Sequence, residues 1–180
     1  MRTLKGIRIL LLLISIPCAA LAQEFRQPVL ISSAGQSADV KLVQLLASRE
    51  TLDAVTKPVA TAEDLADAKT LLIVPGFSSK GLGAAGISQE QEMDRVKSLV
   101  EAARNKQIPI VLVHVGGNAR RKGQSDAFNE LVGKNSSHMI VVSQGDEDHF
   151  FSAIAKESGI PLDLVENIAA AATPLGALFQ

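Results

Sequence analysis

From residue 23 onward the chain alternates between two textures. Residues 28–31, 70–74, 108–114 and 139–142 are unbroken apolar runs, without the polar alternation of a half-exposed strand. Runs of this kind mark strands buried on both faces, as in a parallel sheet covered by helices. Residues 54–57 predict a weaker strand and residues 162–165 a late one.

Between the runs the apolar period lengthens to that of a helix. Ser37 reads as a cap ahead of Val40, Val43, Leu46 and Ala47. Thr61 to Asp64 opens a short helix. Ser88 and Gln91 have capping-box spacing and precede a stripe of Val96, Leu99, Val100 and Ala103. Ser125 or Asp126 is the expected cap of a helix carrying Phe128, Leu131 and Val132. Asp148 is the expected cap of one carrying Phe150, Phe151 and Ile154, with Gly159 as its stop. Thr173 and Pro174 start a last helical turn.

Strand and helix thus alternate throughout. The pattern predicts an α/β three-layer sandwich on a mostly parallel, five- to six-stranded sheet, flavodoxin-like or Rossmann-like in strand order. No repeat, low-complexity tract or linker divides it, so residues 23–180 read as a single α/β domain.

Residues 1–22 have a different character. Arg2, Lys5 and Arg8 precede an apolar stretch at residues 9–16, and Ala20-Leu21-Ala22 fits a small-x-small cleavage site. A signal peptide cleaved near Ala22 is expected, with a periplasmic or secreted product. The apolar stretch is shorter than the roughly 20 residues that span a bilayer, so no stable membrane insertion is expected. The single cysteine, Cys18, lies inside this segment, so cleavage removes thiol chemistry from the mature chain. Cleavage also leaves 15 basic residues against 19 acidic ones, a net charge of −4. A mildly acidic chain with no Trp and no Tyr lacks the field and the stacking rings that nucleic acid requires.

Ligands of open parallel sheets bind beyond the carboxyl ends of the strands. Four successive loops there are rich in Gly, Ser and charge: residues 32–39, 76–86, 116–126 and 143–149. Loops at the opposite end are short and plain. Two motif matches fail on inspection. Gly81 to Gly86 fits G-x-G-x-x-G, but it starts several residues after its strand, and the next strand ends in His114 instead of a ribose-binding acid. Gly76 and Gly81 have P-loop spacing, but Leu82 and Gly83 stand where Lys and Ser/Thr belong. Residues 76–81 are one residue too long for a nucleophile elbow, and Asp146 to His149 match no calcium loop. No cofactor, metal or catalytic residue is assigned.

What remains is an anion-receptive edge. Ser33, Gln36 and Ser37 are candidate donors. Ser78, Ser79 and Lys80, with the backbone of Gly81 and Gly83, form an expected cradle. Arg120 and Arg121 are expected clamps for carboxylate or phosphate, oriented by Asp126 and Asp148. The expected ligand is a small anionic molecule, and the expected partner a membrane transporter. A serine hydrolase using His114, His138 or His149, and a protein-interaction module, are the alternatives.

The segments Gln27 to Asp39, Ser78 to Gly86 and His114 to Arg121 resemble an uncharacterised family of secreted bacterial proteins, domain of unknown function 6305. The resemblance covers nearly all of the chain after residue 22. It implies export and a single α/β domain, and no activity. Phe77 departs from it, since a smaller residue is expected there.

Overall fold

The structure is a computed structural model that describes residues 25–180. The signal-peptide expectation falls outside those residues. Six strands, β1 (Val29–Ala34), β2 (Ala54–Thr56), β3 (Thr70–Pro75), β4 (Ile110–His114), β5 (His138–Val142) and β6 (Leu162–Val165), form one sheet in the order β2-β1-β3-β4-β5-β6. Every pairing is parallel. The order reverses between β1 and β3, as in flavodoxin-like folds. The helices are α1 (Val40–Arg49), α2 (Ser79–Ala85), α3 (Gln89–Asn105), α4 (Gln124–Gly133), α5 (Phe150–Ser158) and α6 (Ala172–Ala177).

Because successive strand residues point to opposite faces, each apolar run feeds two cores. Leu71, Ile73, Leu112 and Met139 pack with Val96 and Leu99 of α3, Phe128 of α4 and Phe151 of α5. Leu72, Val74, Val113 and Ile140 pack with Val40, Val43 and Leu46 of α1 and Leu175 of α6. These are the stripes read from the sequence.

The capping box of α3 forms as expected: Ser88 Oγ accepts from Gln91 N at 3.1 Å, and Gln91 Oε1 from Ser88 N at 2.8 Å. Three other caps differ. Asp39, not Ser37, precedes α1, and Ser37 Oγ accepts from Asp39 N. Gly123 precedes α4, which places Ser125 and Asp126 in its first turn. At α5 the capping acid is Asp146, whose Oδ1 accepts from Phe151 N at 2.7 Å and Ser152 N at 3.1 Å. Asp148 is left free to pair elsewhere.

Residues just ahead of β1 are tied down at the other end of the sheet. Both backbone groups of Arg26 bond to Thr70 Oγ1. Phe25 packs edge-on against His138 and near Phe179. No helix among the described residues is long and apolar enough to cross a membrane.

Candidate functional site

The four decorated loops do meet at one rim, and they meet by bonding to each other. The turn after β1 and the turn after β3 pair as an antiparallel bridge between Gln36 and Phe77. Ser37 N donates to Gly76 O, and Ser78 N to Gly35 O. This pairing closes the crevice at the point of strand-order reversal, the place where an open sheet of this type receives ligand. Phe77, the residue out of pattern in the sequence, is the centre of the closure: its N–H donates to Ser125 Oγ and its carbonyl accepts from Arg120.

Glu92 and Arg95 lock this closure from below. Glu92 is fully buried, and its carboxylate accepts from Gly35 N, Gln36 Nε2, and both Nε and a terminal nitrogen of Arg95, all within 3.0 Å. Arg95 continues to the carbonyls of Ser33 at 2.6 Å and Ala60 at 2.7 Å. The sequence reading missed this pair. Its signal was present: Glu92 stands four and seven residues before Val96 and Leu99, on the apolar stripe itself.

The expected glycine cradle does not form. Residues 79–85 are helix α2, started by Ser78 Oγ accepting from Gly81 N at 3.0 Å and stopped by left-handed Gly86. Gly81 is needed for packing, since a Cβ there would lie 1.9 Å from the Gln36 carbonyl oxygen. Gly83 faces open space. Ser79 and Lys80 are exposed in the first turn.

The two arginines part company. Arg121 has a side chain only 3% exposed. Its guanidinium bonds Asp126 through Nε at 2.9 Å, Asp148 through both terminal nitrogens at 2.9 and 3.0 Å, and the Gly145 carbonyl. It lies 4.3 Å from the centre of the Phe150 ring. Burial works against its charge, but Asp148 and Asp126 outweigh burial and raise its pKa. The same contacts hold Asp148 below the usual carboxylate range. Asp126 is also lowered: burial opposes this, and the Arg121, Lys122 N–H and Asn129 hydrogen bonds overcome it. These three residues join the turns after β4 and β5.

Arg120 is different. Its side chain is 27% exposed. Nε donates to Asp39 Oδ2 and one terminal nitrogen to Phe77 O, each at 3.2 Å. The other terminal nitrogen makes no hydrogen bond among the described residues. Gly116 makes the seat: a Cβ there would fall 2.1 Å from Arg120 Cγ and 2.6 Å from Asp39 Oδ2. The Arg120 carbonyl is pinned by Asn129 Nδ2 at 3.0 Å and His114 Nε2 at 3.2 Å. Burial lowers the pKa of His114, with Arg121 adding to it.

Among the described residues no serine is hydrogen-bonded to a histidine. His114 follows Leu112 on the face that carries Phe128 and Phe151, whereas Ser33 follows Ile31 on the opposite face. The Ser33 hydroxyl is buried and unpartnered among those residues. His138 pairs with Asp163 at 2.7 Å at the start of β5, and His149 is exposed. No group of three or more His, Cys, Asp or Glu among the described residues is placed to hold a metal. A groove of about 550 Å³ between α3 and α4, with Lys97, Glu101, Arg104 and Asn135 in its walls, lies away from the rim loops.

Residues 26–179 match a protein family described as domain of unknown function DUF6305. No curated protein matches the sequence. Solved structures of similar shape include a GDSL-like lipase from Bacteroides thetaiotaomicron, 13% identical with a TM-score of 0.35, over 74% of this chain and 65% of the lipase. The chain thus spans less than two thirds of that protein. AlinE4, an SGNH-hydrolase family esterase, is 14% identical with a TM-score of 0.29, over 87% of this chain and 84% of the esterase. Likeness this weak carries no argument about chemistry.

Proposed function

The chain belongs to the DUF6305 family, whose description assigns no activity, and on the rim geometry we propose that it is an exported binding protein for a small molecule bearing an anionic group, held at Arg120. One observation carries this reading. Arg120 is a rigidly seated guanidinium with an unused terminal nitrogen, standing where the turns after β1, β3 and β4 converge. A pre-positioned guanidinium loses little freedom on binding, and each charge-assisted hydrogen bond it makes contributes about 1.5–3 kcal/mol.

Ser79 and Lys80, exposed on α2, are the further donors in this reading; Ser33, expected as a donor, is fully buried and leaves the binding set. Arg121, Asp126 and Asp148 leave the binding set and become the frame of the rim, because their charges are already satisfied by one another. Gln36 and Ser37 join that frame through Glu92, Pro58 and Asp39. The anionic group meets Arg120 from the solvent side, since the crevice between β1 and β3 is closed. Delivery to a membrane transporter is the role this location suggests. Cell fractionation with N-terminal sequencing tests the export, with Gln23 as the expected first residue.

A thermal-shift screen with small carboxylates and phosphate esters tests the binding. Stabilising compounds are expected, and Arg120→Gln is expected to weaken them by about tenfold or more. Hits whose affinity survives Arg120→Gln would refute the assignment.

A further inference from the structure

Resting on the anion-binding reading above, we propose that the ligand is a zwitterion, a free α-amino acid, whose carboxylate meets Arg120 and whose ammonium meets Asp39. Asp39 stands at the N-cap of α1, yet its side chain makes no capping hydrogen bond. Among the described residues the side chain's one hydrogen-bond partner is Arg120, through Oδ2. The other oxygen, Oδ1, accepts nothing among the described residues. The pair therefore offers one open donor and one open acceptor, and the absence of a side chain at Gly116 leaves room for Arg120 Cγ and Asp39 Oδ2 beside its Cα.

Charge balance separates the ligand classes. Asp39 neutralises much of the field of Arg120, its ion-pair partner. A simple carboxylate or a phosphate gains little from such a field. It would also place its own charge beside the Asp39 carboxylate, whose oxygen lies 3.2 Å from Arg120 Nε. Covering Asp39 without a partner strips its water and returns nothing. An ammonium adjacent to the ligand's carboxylate removes both penalties, because each charge of the pair then keeps an opposite neighbour.

The test is isothermal titration of the purified protein with free α-amino acids (glycine, alanine, leucine, glutamate, arginine), with acetate and inorganic phosphate alongside, on wild type, Asp39→Asn and Arg120→Gln. Asparagine keeps the shape of Asp39 and is an equally good residue at an N-cap, and circular dichroism checks each fold. At least one amino acid is expected to bind about tenfold tighter than acetate, the worth of one charge-assisted hydrogen bond. Asp39→Asn is expected to remove that advantage while leaving acetate binding equal or tighter. If acetate or phosphate binds as well as every amino acid, or if Asp39→Asn leaves amino-acid affinity unchanged, the zwitterion assignment is overturned and the anion site stands. If no compound binds, or if Arg120→Gln leaves all affinities intact, the anion site itself falls, and the zwitterion with it.

Discussion

Replacing Arg121 by alanine separates a frame residue from a ligand contact. The substitution deletes the four ion-pair hydrogen bonds to Asp126 and Asp148, the bond to the Gly145 carbonyl, and the packing on Phe150. Removing one partner of a buried ion pair costs about 3–5 kcal/mol. The lower end applies here, because Asp148 is 50% exposed and can turn to water, while Asp126 keeps its bond from Asn129. The expected loss is therefore about 3 kcal/mol, a large part of the 5–15 kcal/mol that holds a typical domain. At about 2–4 °C per kcal/mol for a chain of this size, Tm falls by roughly 6–12 °C. Urea unfolding followed by circular dichroism measures it. Arg121→Lys is expected to recover less than half, because one ammonium cannot make two bidentate contacts. A loss below about 1 kcal/mol, the range of an exposed ion pair, would refute the view that Arg121 frames the rim.

Four further outcomes follow from the same geometry. Glu92→Ala strands Arg95 and the Gly35 N–H, so about 3–5 kcal/mol of stability is lost in urea unfolding, with Glu92→Gln milder because it keeps an acceptor. Gly116→Ala must push Arg120 off its seat. It is expected to cost about 1–3 kcal/mol and to weaken ligand-induced thermal shifts as much as Arg120→Gln does. Gly83→Ala meets open space on an exposed helix and is expected to raise stability by about 0.5–1 kcal/mol, measurable as a higher Tm. The pH dependence of stability has two parts. Burial lowers the folded pKa of His114, so the unfolded chain binds the proton first. Stability is full above the ordinary histidine pKa of about 6.5 and falls as pH drops through it. Asp148 and Asp126 are likewise lowered, and their contribution persists until pH falls below the ordinary aspartate value of about 3.9. Urea midpoints across this pH range should therefore fall in two steps, and His114→Gln should remove the first.

The sheet was legible in the sequence because its signal is redundant. Each central strand is an apolar run, each flanking helix carries a stripe, and both must agree for either face to be buried. Convergence of the loops at one rim was legible too, since a parallel sheet sends every strand's carboxyl end the same way. How those loops spend their polar groups was not. Arg120 and Arg121 are adjacent and chemically alike, yet one turn of backbone sends Arg121 between Asp126 and Asp148 and leaves Arg120 on Asp39. Asp146 and Asp148 are both plausible caps for α5, and only the chain's path decides between them. Residues 79–85 hold two glycines and read as loop, but the Ser78 cap and the Gly86 stop suffice for a short helix. Glu92 was passed over because a carboxylate on an apolar stripe makes sense only once Arg95, Gly35 and Gln36 surround it.

The account's central claim is that one arginine of the adjacent pair faces ligand and the other holds the frame. The Nε–Hε resonances of the arginines in a ¹⁵N-labelled sample report on each directly, assigned with Arg120→Gln and Arg121→Lys. On titration with a stabilising amino acid or carboxylate, the Arg120 signal is predicted to move to saturation while that of Arg121 stays in place. Movement of Arg121 with Arg120 unaffected would contradict the account.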